Sequence, residues 1–408
     1  MTRYNNRQYK MIKKLNVMFL YIGNLKCGGG VEKALFGIFK NAPYDRFNLT
    51  LIQTDYVAEG RLTENDVRKA LRGAKVKIIT IKSYRNRFLS MIRSESMLIR
   101  NLFRLGFRTP LILLYGHLIN RAILKEEVNR ADVIYLVGNE DIRNISPRIN
   151  TVVFGSTHIS DLRKGSGRFG IIKDYYRKLL YKRVNGFHFL NKNLRDNSFS
   201  SKEYDFVLPY GIETSLYEPG HVLETAEKIK FLFVARLVKS KGVSTLLEAW
   251  DGLNNENLEL HIAGEGPQEN IVKNGNHRNL VYHGVLTGEK LYRLYKDCDV
   301  FVFPTEGETF GLVILEALSS GLFVITSDKV KGTFDDFEKL DYLKYIKNEP
   351  SAIREAIMET IANIEEIRND KRKKALHQYV IENYEWKIIT QKLFKTFEDA
   401  FLKYNTPE

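Results

Sequence analysis

Residues 299–316 read DVFVFPTEGETFGLVILE, and the architecture follows from them. Residues 300–303 are an unbroken apolar run, the pattern of a strand covered on both faces rather than one. Pro304 stops the run and a short polar loop follows. The pattern then becomes helical, with a helix expected to start near Phe310. A buried strand leading into a helix is half of a strand–helix–strand unit, and hence of a parallel sheet. The first N–H groups of such a helix have no intrahelical partner, so its start favours an anion such as phosphate.

The same pattern repeats along the chain. Further strands are expected at 16–21, 48–53, 76–81, 132–137, 151–154 and 186–190, and then at 230–235, 258–263, 280–284 and 323–326. Most are continuously apolar, and helical patterns separate them. Two doubly wound, Rossmann-like α/β domains facing a cleft are therefore expected. The best linker is 209–220 (PYGIETSLYEPG), rich in turn formers. The expected division is a domain at 1–212, a second at 213–384, and a last helix, 385–408, with a single apolar stripe and no later strand to pack beneath.

Charge divides at the same place. Residues 1–220 carry 38 of the 63 Lys+Arg but only 19 of the 49 Asp+Glu. A basic first half suits a polyanionic partner such as anionic lipid or glycan. Residues 85–108 (RNRFLSMIRSESMLIRNLFRLGFR) have a single acid, Glu95, and read either as a helix lying on an anionic membrane surface or as an ordinary surface helix. No apolar run approaches the roughly 18–20 residues that span a bilayer, and the apolar stretch near the N-terminus is too short for a secretory signal. Two distant cysteines, Cys27 and Cys298, fit a reducing compartment. A cytoplasmic protein, peripheral at the inner face of the membrane at most, is expected. No nucleic-acid recognition motif is present.

Four loops carry candidate chemistry. In 299–316, Glu308 lies in the loop and Glu316 within the helix, so one carboxylate can meet a sugar and the other the ribose of the same nucleotide sugar. Carboxylates suit vicinal hydroxyls because they accept two hydrogen bonds. In 236–242 (RLVKSKG), Arg236 and Lys241 follow a buried strand and can neutralise a diphosphate leaving group. In 263–267 (AGEGP), Gly264 and Gly266 allow a tight turn and close backbone approach. In 27–32 (CGGGVE), three glycines precede a helix start. Their spacing is not the G-x-G-x-x-G fingerprint, so no dinucleotide cofactor is expected. Asp297 and Asp299 mimic a metal-binding D-x-D, but they precede their strand, whereas a metal site at the sheet's active end would follow it.

These motifs resemble the family-four glycosyltransferases of the GT-B fold, whose mark is a glutamate, seven residues, and a second glutamate, with F-G-L-V after the first. Glu308, Phe310, Gly311, Leu312, Val313 and Glu316 match it, and Arg236, Lys241 and Gly242 match the family's arginine–lysine–glycine pattern. The resemblance implies a retaining transfer of a hexose-type sugar from a nucleoside-diphosphate sugar, UDP- ahead of GDP-; with no metal motif in place, metal-independent transfer is expected, Arg236 and Lys241 replacing the divalent ion. The acceptor would be a glycan or lipid-linked glycan in cell-surface polysaccharide or glycoconjugate synthesis. It implies that Glu308 contacts the hexose, Glu316 the ribose, Gly29 and Gly30 the donor phosphates, and Gly264 the nucleotide. His158 would sit near the sugar and the acceptor hydroxyl, and the last helix would cross back to the first domain. Thr309 stands where the family has glycine and Phe323 where it often has proline, so Thr309 would narrow the sugar pocket. Two other readings remain: a nucleotide-sugar epimerase or phosphorylase on the same fold, and a non-catalytic membrane- or polyanion-binding protein.

Overall fold

A computed structural model describes residues 14–21, 23–55, 57, 62–81, 124–137, 147–157, 175, 178–179, 181–220 and 228–406. They fall into two compact units: 1–189 with 197–206 and 390–408, and 190–196 with 207–389.

The first unit is built on β1 (Leu15–Tyr21), β2 (Phe47–Thr54), β3 (Val76–Ile81), β4 (Val133–Leu136), β5 (Val152–Ser156), β6 (Gly186–Phe189) and β7 (Phe206–Val207). Their order in the sheet is β3-β2-β1-β4-β5-β6-β7. Pairings from β3 through β6 are parallel. Sequence runs outward in both directions from the β1–β4 boundary, which makes it the switch point of a doubly wound sheet. β4 and β5 are buried throughout, as the apolar runs VIYL and VVF within them require, and the one polar residue, Ser156, donates to the Val137 carbonyl.

The helix Trp386–Asn405 closes this unit's core. Its buried residues Leu393, Phe394, Phe397 and Ala400 recur at helical spacing. Phe397 meets Tyr135 and Phe154 at 5.6 and 5.3 Å between centroids, and Phe394 meets Phe47 at 4.8 Å. Residues 390–405 thus provide a strand-covering layer of the first unit from the far end of the chain. An ion pair between Lys403 and Glu203 at 2.6 Å, and another between Arg46 and Glu398, flank this packing.

The second unit has β8 (Ile229–Val234), β9 (Leu258–Ala263), β10 (Leu280–Gly284), β11 (Val300–Phe303), β12 (Phe323–Ser327) and β13 (Leu343–Ile346). The order is β10-β9-β8-β11-β12-β13, parallel throughout, with the switch point between β8 and β11. The strand that opened the sequence reading is therefore central, and all four residues of β11 are buried.

Three features depart from the sequence expectations. β7 and β13 are additional edge strands, two and four residues long; both are too short to carry a readable pattern. The turn-rich segment 209–220 is packed structure within the second unit. Tyr210, Ile212, Thr214 and Tyr217 are buried, and Ile212 forms a parallel bridge with Glu385. The helix expected near Phe310 begins at Leu312, because Gly311 is left-handed (φ 90°) and caps it.

Candidate functional site

The motif loops of the second unit leave the carboxyl ends of its central strands, where open α/β sheets bind ligands. The loop 235–242 follows β8, 264–268 follows β9, and 304–311 follows β11. β8 lies between the other two, so hydrogen bonding alone brings the three loops together.

Two glycines make the join possible. Gly242 has φ 80°, and a Cβ there would drive into the carbonyl oxygen of Pro304. The Glu306 N–H donates to Ser240 O at 2.8 Å and the Thr305 hydroxyl to the same oxygen at 3.1 Å. Gly264 has φ 140°, and a Cβ there would meet the Ala235 carbonyl oxygen. Leu237 N–H donates to Glu265 O at 2.7 Å and Gln268 N–H to Leu237 O at 2.9 Å. Each glycine is thus where one loop's backbone touches the next.

On this frame Lys241 pairs with Glu308, both about one-fifth exposed (23% and 19%). Arg236 is exposed, and among the described residues no carboxylate pairs with it. Leu312 opens a helix whose cap offers no side-chain acceptor. Arg236 leaves β8 in the same loop as Lys241, and the helix Leu312–Ser319 starts four residues after Glu308 in the loop from the neighbouring β11, so the two loops supply cations and helix-start N–H groups of the kind that hold a diphosphate.

The other matched residues divide by what their side chains do. Thr309 is exposed beside Glu308. Phe310 is buried between Tyr210 and Phe334, at 5.2 and 5.3 Å between ring centroids. Its side chain therefore anchors the loop, and only its backbone can face a ligand. Glu316 is buried and accepts from the Tyr295 hydroxyl at 3.0 Å. Asp299 is occupied elsewhere: its carboxylate accepts from Lys230 N–H and forms a two-point pair with Arg368 at 3.0 and 2.8 Å. Among the described residues no three His, Cys, Asp or Glu side chains gather as a metal site.

In the first unit, Gly28 is left-handed (φ 66°) and Gly29 caps the helix Gly30–Lys40. Glu32 turns back on its own helix start, taking the Gly29 N–H at 2.7 Å and the Tyr21 hydroxyl. Gly30 is exposed at the carboxyl end of β1, beside this unit's switch point. His158 lies outside the described residues, as do the basic segment 85–108 and the loop 160–170. Among the described residues no helix is long and apolar enough to cross a membrane.

Residues 220–379 match a protein-family model described as Glycosyl transferases group 1. An uncharacterized glycosyltransferase of Methanocaldococcus jannaschii is 32% identical over 137 residues, which is 32% of this chain and 35% of that protein. The O-antigen chain mannosyltransferase C of Escherichia coli is 30% identical over 175 residues, 40% of this chain and 46% of that one. The chain thus spans less than half the length of these relatives. The crystal structure of HepE from Anabaena, in complex with UDP and glucose, superposes with a TM-score of 0.63 at 14% identity, covering 94% of this chain and 99% of that one. The fold is that of the GT-B glycosyltransferases, with two Rossmann-like units.

Proposed function

We propose that this chain is a glycosyltransferase that takes a hexose-type sugar from a nucleoside-diphosphate sugar, UDP- ahead of GDP-, and passes it to a glycan or lipid-linked acceptor of surface polysaccharide synthesis. The observation that carries the reading is the Lys241–Glu308 pair, which ties the loop holding Arg236 to the loop that leads into the helix Leu312–Ser319, at the β8–β11 switch point. Cations and free N–H groups meet the diphosphate, and a carboxylate beside them meets the sugar hydroxyls. The bond between the anomeric carbon and the diphosphate oxygen breaks, and a bond from that carbon to an acceptor oxygen forms on the same face. The acceptor's proton leaves to the departing diphosphate.

Arg236 and Lys241 take the charge-neutralising role that a divalent ion would otherwise supply, so the transfer is metal-independent in this reading. The motif resemblance assigns His158 to the reacting sugar, Gly29 and Gly30 to the phosphates and Gly264 to the nucleotide, and the reading adopts those roles. The basic first half meets an anionic membrane surface where lipid-linked acceptors reside. Support comes from the family match over 220–379 and from the relatives' own names: one is a mannosyltransferase of O-antigen chains, and HepE is described with UDP and glucose.

The test is a thermal-shift screen of UDP-, GDP- and ADP-sugars, followed by transfer assays with the donors that bind. A ligand that binds only the folded state raises the melting temperature. No shift with any nucleotide sugar sinks the proposal. Epimerised sugar formed without acceptor favours the epimerase reading instead.

A further inference from the structure

Glu316 lies on the helix Leu312–Ser319, and its residue is only 3% exposed. Two phenols close on its carboxylate. Tyr295, wholly buried on the helix Glu289–Lys296, donates its hydroxyl to Glu316 Oε2 at 3.0 Å. Tyr217, buried just after the short turn Thr214–Leu216, lies close enough to the same carboxylate for its charge to act on the phenol. The two rings meet edge-on, 5.6 Å apart at 77°. Tyr217 also packs edge-on against Tyr292 at 5.0 Å.

A buried carboxylate is costly unless donors surround it. A phenol meets that need differently from an arginine or lysine: it donates one hydrogen bond and leaves the negative charge in place. Both tyrosines are held well above the usual phenol range, first by burial and then by the Glu316 charge, so they stay protonated and remain donors. The ring contacts fix the direction from which each hydroxyl approaches.

We infer that Tyr295 and Tyr217 are positioning residues, which fix Glu316 as an oriented acceptor for the ribose diol of the donor and so set the preference for a ribonucleotide over its deoxy counterpart. This rests on the donor-binding role proposed for Glu316. A carboxylate free to rotate would lose part of its contact with a diol, whereas a held one presents fixed lone pairs to both hydroxyls.

Calorimetry on the full chain with UDP, GDP and their 2′-deoxy forms tests this, using wild type, Tyr295→Phe, Tyr217→Phe and Glu316→Gln. Wild type should prefer the ribo form by about tenfold or more, the scale of one hydrogen bond to a charged group. That ratio should fall toward one in Tyr295→Phe and in Glu316→Gln, and by less in Tyr217→Phe. The donor KM should rise several-fold in Tyr295→Phe while kcat changes little. A tyrosine with a merely structural role would weaken ribo and deoxy forms alike and leave the ratio intact; that result overturns the inference. Should Tyr295→Phe fail to fold, Tyr217→Phe carries the same test. If Glu316→Gln leaves the ratio unchanged, or no nucleotide binds wild type, the donor-site reading itself falls. If the ratio collapses in Glu316→Gln and persists in both tyrosine variants, only the inference falls.

Discussion

Lys241 and Glu308, 67 residues apart in sequence, form one half-buried ion pair between the loops that leave β8 and β11. A diphosphate that reaches Lys241 must share it with that carboxylate. Replacing Glu308 by Gln should therefore tighten binding of the free nucleoside diphosphate several-fold while lowering sugar transfer by about a hundredfold, the scale at which removal of one charge-stabilising group is felt. Lys241→Ala should do the reverse to affinity, weakening the diphosphate about tenfold. Calorimetry with UDP and GDP reads both, and equal affinity in all three proteins would remove the diphosphate role.

The glycine at 242 should tolerate no side chain. Gly242→Ala places a Cβ against Pro304 and forces a left-handed residue, which costs about 2–4 kcal/mol in strain and overpacking. Gly307, in the facing loop 304–311, has open space where a Cβ would go, so Gly307→Ala should change stability little. Urea unfolding of the two variants gives the contrast directly. Similar losses in both would mean that the loops do not meet as described.

His261 and His283 should make the second unit sensitive to acid. Their rings stack at 5.2 Å, and His261 Nδ1 lies 2.9 Å from His283 Nε2, so one of the two nitrogens must accept. Burial holds both below the usual histidine range, although Glu259 pulls the other way on each and Lys230 adds to the depression at His261. A depressed folded value means that the neutral forms favour the fold above the ordinary value near 6.5. That stability is lost as pH falls through the folded values. Unfolding free energy should drop between pH 7.5 and 5 in wild type, and drop less in His283→Phe. Parallel curves would count against the pair.

Asp299 should matter for stability rather than for metal binding. Arg368→Ala leaves its buried carboxylate without its two-point partner, at a cost of about 3–5 kcal/mol. Donor turnover, measured below the shifted melting temperature, should persist and should survive excess EDTA. Loss of activity in EDTA that magnesium restores would assign the diphosphate to a metal instead.

Phe397→Ala should destabilise the first unit by about 3–5 kcal/mol, because that ring fills the space between Tyr135 and Phe154. Hydrogen exchange should show the loss in β1, β4 and β5 more than in β8 to β13. A uniform effect would contradict the division of the core.

Most of the sheet was legible because a strand buried on both faces must be apolar at every position. The β11 run at 300–303 and the β8 run at 230–235 needed no partner to be recognised. What depends on distant partners was not legible. Nothing near Glu316 in sequence announces Tyr217 or Tyr295, which the fold brings from 99 and 21 positions away. Phe310 matched a motif, yet its side chain serves the core, since motif spacing does not tell a backbone role from a side-chain role. The segment 209–220 has the composition of a linker, but Ile212 finds Glu385 and Tyr217 finds Tyr295 only after the chain has folded.

Neither unit is one continuous piece of chain, because the path changes unit after 189, 196, 206 and 389. During synthesis this sets an order of assembly. The sheet of the second unit is complete once β13 has been made, whereas the first unit waits for residues 390–405 to cover Phe19, Phe47 and Phe154. The basic half emerges first and finishes last. For some 180 residues of translation its aromatic core lacks its lid, the interval in which exposed apolar surface invites aggregation or a chaperone.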